Sequence, residues 1–177
     1  MERLPSSKTF RSITYGTSIM TIQLGEKIPS LTLKVMGEKG PQDITTDSIF
    51  HGKKVVLFAL PGAFTPTCSN THLPGFVVNF DALTAKGVDT VVCASVNDAF
   101  VMGAWGKDQN AENILMLADG NAELTTALGL EKDASGSGMG IRSKRYAMIV
   151  DNGVVTLLNV DEKGLDSSSA ESILAAL

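Results

Sequence analysis

Val55-Val56-Leu57-Phe58-Ala59-Leu60 is an unbroken apolar run six residues long. It is short for a helix and offers no polar face to water, so it reads as a strand buried on both sides, at the centre of a sheet. The next forty residues narrow the fold further. Pro61 to Cys68 forms a loop, and Ser69–Lys86 reads as a helix that Pro74 should bend or restart. Gly87 closes that helix as a C-terminal cap, and Val88–Val96 is a second apolar strand. Strand, helix and strand make a β-α-β unit, which gathers functional residues at the C-terminal ends of its strands. Cys68 lies at such an end.

The rest of the chain supplies the other layers. Leu31 to Ile44, turning at Gly37-Glu38-Lys39-Gly40-Pro41, reads as a short hairpin. Asn97 or Asp98 can cap a helix running to about Gln109 that carries Trp105. Ile114–Ala118 is a short strand, and Asn121–Leu128 a short helix ended by Gly129. Arg145–Val150 and Val154–Val160 flank Asp151-Asn152-Gly153, a strong hairpin signal. Ser168-Ser169-Ala170-Glu171 reads as a capping box opening a last helix to Leu177. A β-α-β unit, then a hairpin, then a terminal helix resembles the thioredoxin order. The expected class is therefore α/β, with a thioredoxin-like central mixed β-sheet flanked by helices, an N-terminal hairpin and inserted elements.

At 177 residues the chain is expected to hold one domain, residues 20–177, behind an N-terminal arm of residues 1–19. That arm carries Arg3, Lys8 and Arg11, many Ser and Thr, and one acidic residue, Glu2. This is the composition of a mitochondrial or plastid presequence, but the first reading is a disordered arm, an expression remnant or an upstream start, because Met20 could begin the domain. A net charge of −4 argues against nucleic acid or an anionic membrane as partner. No apolar run approaches the ~20 residues of a membrane span. Only Cys68 and Cys93 occur, which excludes a disulfide framework and favours a reducing, cytoplasmic home, with a mitochondrion or plastid as the alternative.

Cys68 therefore carries the chemistry. The start of a helix offers free backbone N–H groups and the positive end of the helix dipole, both of which favour a thiolate. Thr65, three residues earlier, could hydrogen-bond the sulfur or a substrate oxygen. Arg145 could supply a cation that also holds an oxygen-rich transition state. Pro61 and Pro66 would fix the loop and shield the sulfur. His72, four residues after Cys68, reads as a local hydrogen-bonding group rather than a base, and His51 as a solvated turn residue. Gly136-Ser137-Gly138-Met139-Gly140 follows no apolar strand, so it reads as a flexible loop delivering Arg145 rather than a phosphate loop. No metal-ligand spacing is present, no Cys-x-x-Cys occurs, and no cofactor is expected.

Pro61-x-x-x-Thr65-Pro66-x-Cys68 resembles the active-site signature of the peroxiredoxins. The wider string from Pro61 to Phe76 is similar to their type II, or peroxiredoxin 5-like, subgroup. The match continues through Ser95-Val96-Asn97-Asp98-Ala99-Phe100-Val101, Trp105, Leu117-Ala118-Asp119-Gly120 and Gly140-Ile141-Arg142-Ser143-Lys144-Arg145-Tyr146. It thus spans essentially Met20 to Leu177.

The resemblance implies a thiol-dependent peroxidase acting on hydrogen peroxide and alkyl hydroperoxides. In it Cys68 is the peroxidatic thiol, Thr65 orients the peroxide, Arg145 activates the pair and Pro61 packs over the sulfur. Cys68 would become a sulfenic acid, which a second thiol must resolve. Animal-type members carry a resolving cysteine where this chain has Ser167, within Gly164-Leu165-Asp166-Ser167-Ser168. The plant and bacterial branch instead has a second cysteine 25 residues after the first, the place of Cys93. That branch implies an external reductant: glutathione, glutaredoxin or thioredoxin. In its apolar strand Cys93 reads first as a core residue, and a disulfide to Cys68 would require local unfolding. The subgroup also implies a homodimer formed by loops near Cys68. Phe64, Phe76, Phe80, Phe100 and Trp105 gather on those segments, most of them as core. A redox sensor would begin with the same oxidation of Cys68, and a non-catalytic adaptor would not need all four site residues.

Overall fold

The computed structural model describes residues 20–177, so the arm of residues 1–19 lies outside the described residues. Its centre is strand β3 (Lys54–Ala59), which comes after strands β1 (Thr32–Gly37) and β2 (Gly40–Thr45) and helix α1 (Thr46–Phe50). Alternate residues of the apolar run serve opposite faces of the sheet. Val56, Phe58 and Leu60 join one buried cluster, whereas Val55, Leu57 and Ala59 join another. That two-sided burial is the reason the run has no polar member.

The β-α-β unit forms as expected, but its helix is broken in a different place. A π-helical turn, Cys68–His72, leads into α2 (Leu73–Val78), and α3 (Phe80–Ala85) comes next. In the π turn the N–H of Leu73 reaches the carbonyl of Cys68, five residues back. Pro74, which has no N–H to donate, sits in the first turn of α2 and does not interrupt it. The break comes at Asn79, whose side-chain Nδ2 donates to the Gly75 carbonyl at 2.8 Å and so competes with the backbone.

Strand β4 (Thr90–Ser95) then pairs parallel with β3, in the register Phe58 opposite Cys93. Helix α4 (Ala99–Asp108) is capped by Asp98, whose Oδ1 accepts the Val101 N–H at 2.9 Å. Strand β5 (Leu115–Ala118) adds parallel to β4, and α5 (Glu123–Ala127) comes after it. Buried Asp119 accepts the N–H groups of Leu124 and Thr125 and the Thr125 hydroxyl, so its motif is a structural cap. A short hairpin, β6 (Glu131–Asp133) and β7 (Ile141–Ser143), encloses the glycine-rich loop that sequence patterning left unstructured.

Strands β8 (Arg145–Asp151) and β9 (Val154–Asp161) form the hairpin around Asp151-Asn152-Gly153. β8 pairs antiparallel with β3, which makes the sheet mixed, in the order β2-β1-β5-β4-β3-β8-β9. Helix α6 (Ala170–Ala176) closes the chain. Its cap is Ser169, which accepts from the Ser172 N–H, and not the Ser168 of the expected capping box. Ser168 is unavailable because both its N–H and its hydroxyl are given to Asp161. Among the described residues no helix is long and apolar enough to cross a membrane.

Candidate active site

The loop between β3 and the π turn is held from two sides. The Ala63 N–H donates to Asn97 Oδ1 at 3.0 Å, and Ser95 Oγ donates to the same oxygen at 2.6 Å. From the other side Arg142 gives Nε to the Met139 carbonyl at 2.9 Å and Nη1 to the Pro61 carbonyl at 3.4 Å. Gly62 lets the loop pack closely: a Cβ would lie 3.1 Å from Arg142 Nη1 and 3.2 Å from Thr65 Cγ2, so those side chains would have to give way. Sequence reasoning passed over Arg142; its place beside Ser143-Lys144-Arg145 was the only signal.

Thr65 Oγ1 donates its proton to the Gly62 carbonyl at 2.6 Å. Its oxygen is thereby left as an acceptor for an incoming O–H. Pro66 stands exposed at the first helical residue, and the Ser69 N–H closes the first turn onto the Thr65 carbonyl at 2.9 Å. Cys68 therefore sits in the first turn, with its side chain only 1% exposed. Trp105 of α4 locks the same turn by donating Nε1 to Ser69 Oγ at 3.0 Å.

Arg145 enters from the first residue of β8. Strand pairing of Tyr146 with Ala59 places it beside the end of β3, where the Cys68 loop begins. Its Nη2 lies 3.3 Å from Cys68 Sγ, and its Nη1 is 2.9 Å from His72 Nδ1. Arg145 is 9% exposed, and among the described residues no carboxylate lies within 4 Å of its guanidinium. Buried charges require partners. Its two side-chain hydrogen bonds go to the Cys68 sulfur and the His72 ring.

His72 is the residue whose reach was underestimated. Its hydrogen bonds are not local: they go to Arg145 and, through Nε2, to the Ser168 carbonyl at 3.0 Å. A guanidinium can only donate, so Nδ1 accepts and Nε2 carries the proton. Burial and then the charge of Arg145 lower its pKa from 6.5 to about 3, so the ring is neutral. Phe58 and Phe76 enclose it, at ring-centroid distances of 5.1 and 5.7 Å. His51, by contrast, is exposed as expected.

Cys93 is fully buried on the same face as Cys68, and both thiols are free. Burial, with Cys68 nearby, pushes the Cys93 thiol well up. In the folded state it is a core residue. Phe76 and Trp105 are core as well, Phe80 is partly buried, and Phe64 and Phe100 stand at the surface. Among the described residues no group of three or more His, Cys, Asp or Glu could hold a metal ion.

A family model described as Redoxin matches residues 23–174. The chain belongs to the redoxin family, among the peroxiredoxins. It is 49% identical over 169 residues to Peroxiredoxin-2E-2, chloroplastic, of Oryza sativa subsp. japonica, covering 92% of this chain and 75% of that protein. Hybrid peroxiredoxin hyPrx5 of Haemophilus influenzae is 42% identical over 142 residues, covering 80% of this chain and 59% of its own length. Among solved structures, reduced Prx3 of Vibrio vulnificus in complex with hydrogen peroxide superposes with a TM-score of 0.85. It shares 58% identity and covers 88% of this chain and 99% of that one. This peroxiredoxin is thus of the type II, plant and bacterial kind, with the thioredoxin-like fold that its element order suggested. It is a thiol-dependent peroxidase.

Proposed function

We propose that Cys68 is the peroxidatic thiol and that Thr65, Arg145 and Pro61 complete its site. The observation that carries this reading is a buried Arg145 whose Nη2 is 3.3 Å from Cys68 Sγ, with no carboxylate within 4 Å among the described residues. The Cys68 thiolate attacks the terminal oxygen of a hydroperoxide. An S–O bond forms and the O–O bond breaks. The departing hydroxide or alkoxide takes a proton and leaves as water or an alcohol, while Cys68 becomes a sulfenic acid. Thr65 Oγ1, its own proton committed to Gly62, accepts the hydrogen bond of the peroxide O–H. Arg145 stabilises the charge spread over sulfur and both oxygens in the transition state. Pro61 and the turn exclude water.

Recovery uses an external thiol. A first thiolate attacks the sulfenic sulfur to give a mixed disulfide and water, and a second displaces Cys68 as thiolate. Glutathione with glutaredoxin, or thioredoxin, fits this role, since Ser167 cannot act and Cys93 is inaccessible in the folded state. Hydrogen peroxide and small alkyl hydroperoxides are the substrates. The molecule works as a homodimer, with Phe64 at 54% and Phe100 at 66% exposure as apolar contacts. Residues 1–19 act as an organellar targeting segment, in line with chloroplastic relatives from rice and Arabidopsis thaliana.

The deciding experiment is stopped-flow reaction of the reduced protein with hydrogen peroxide, then mass spectrometry with and without glutathione. Fast oxidation of Cys68, then a glutathione adduct, is expected. Cys68→Ser should abolish turnover, whereas Cys93→Ser should retain most of it with glutaredoxin. Near-complete activity in Cys68→Ser would sink the assignment.

A further inference from the structure

Arg145 has to point one edge of its guanidinium at sulfur, and its own strand does not dictate that aim. The direction comes from a chain of contacts running away from the site. Nη1 is held by His72 Nδ1 at 2.9 Å, and His72 Nε2 by the Ser168 carbonyl at 3.0 Å. That carbonyl is held in turn by a tightly built turn. Asp161, at the end of β9, accepts the N–H groups of Asp166, Ser167 and Ser168 at 2.9, 3.0 and 3.0 Å. It also accepts the hydroxyls of Ser167 and Ser168 at 2.8 and 2.7 Å. Five donors on one carboxylate leave the Ser168 peptide little freedom.

We propose that His72, anchored through Ser168 to Asp161, is a positioning residue for the peroxide reaction: a neutral Nε2–H imidazole that aims the Arg145 guanidinium at Cys68. A ring protonated on both nitrogens, or on Nδ1 alone, would offer Arg145 a donor in place of an acceptor and turn it away. Of the two neutral tautomers only the Nε2–H form can donate to the Ser168 carbonyl, so the backbone selects the tautomer that Arg145 needs. Two further observations agree. Burial and the Arg145 charge keep the ring neutral, and the backbone and hydroxyl donors of 166–168 outweigh the effect of burial and hold Asp161 well below the usual carboxylate range. The arrangement therefore does not change across neutral and mildly acid pH. It also gives a use to a turn that the sequence pattern offered only as a helix cap. The role rests on the peroxidase reading of Cys68.

The test combines nitrogen-detected NMR of the His72 ring with peroxide kinetics of three variants. The wild-type ring should carry its proton on Nε2 alone, at pH 7 and at pH 5. His72→Leu leaves Arg145 without its acceptor and should slow peroxide oxidation about 10- to 100-fold. His72→Gln, which keeps one acceptor and one donor, should recover most of that loss. Asp161→Asn leaves His72 and Arg145 intact and carries the test if His72→Leu fails to fold. It should bring in the second ring tautomer and slow oxidation about 3- to 10-fold. A proton on Nδ1 in the wild type would overturn the proposal. So would an unchanged rate in His72→Leu, or equal slowing in Leu and Gln variants that tracks their thermal unfolding. A wild-type thiol no faster than free cysteine would remove the peroxidase reading and the positioning role together. Fast wild-type oxidation with an indifferent His72→Leu would remove the positioning role alone.

Discussion

Arg145 is a buried cation whose side-chain contacts are a neutral ring and a sulfur. Lysine at this position would keep the charge but could not span both contacts, because an ammonium is a point where a guanidinium is a fork. Arg145→Lys is expected to slow peroxide oxidation of Cys68 by about 100-fold or more, on the scale of losing an oriented transition-state donor; stopped-flow fluorescence reads this directly. His72 makes a separate prediction about acid. Its folded pKa of about 3 lies below the ordinary 6.5. Between those values the unfolded chain takes up a proton that the folded one refuses. The neutral ring therefore costs nothing above pH 6.5, and stability drains away as pH falls toward 3, by up to about 1.4 kcal/mol per pH unit. His72→Gln cannot take up that proton, so its urea stability should fall less steeply between pH 7 and pH 5 than the wild type's. Equal slopes would mean that the ring is not buried as described.

At the scale of elements, most of the fold could be read from pattern because strand burial and turn chemistry are local. The β3 run, the Asp151-Asn152-Gly153 hairpin and the Asp98 cap formed where their residues put them. Gly129 likewise ends α5, and it does more. At φ 67°, any Cβ would lie 2.7 Å from the Met20 carbonyl oxygen. The first described residues depend on that approach, with the Ile22 N–H on the Leu128 carbonyl and Thr21 Oγ1 on that of Gly129. Gly129→Ala should destabilise the protein by more than about 2 kcal/mol in chemical denaturation, adding a clash with backbone to the usual positive-φ cost. What escaped the pattern was decided at long range. No periodicity reports that Ser168 will serve Asp161 in preference to capping α6, or that His72 will bond residues 73 and 96 positions away. The candidate thiol, threonine and arginine were legible as residue types in a loop and at a strand start. The approach of Arg145 to Cys68 was not, because it depends on the register of β8 against β3.

For the whole molecule, the sheet order makes β3 and β4 interior strands and leaves the site at their C-terminal end, beside α4. Phe64 and Phe100 are exposed there, with Phe64 held at φ 62° and its ring 6.4 Å from that of Trp105. A homodimer using this face should fall apart in Phe100→Arg, seen as a halved mass in sedimentation equilibrium; an unchanged mass would place the contact elsewhere. Burial of Cys68 has a consequence for recovery. Peroxide is small enough to reach a covered sulfur, whereas a reductant of peptide size is not. With Cys68 as the proposed peroxidatic thiol and a peptide-sized reductant, each catalytic cycle includes a moment in which the π turn loosens and shows the oxidised sulfur to solvent. The local stability of a few residues sets how often that moment comes. Stiffening the turn would leave capture of peroxide as quick as before, yet lengthen the wait for rescue. During that wait a second peroxide can carry the sulfur to a state that thiols do not reverse. Tolerance of oxidative stress is written here as a limit on how firmly one turn is allowed to hold.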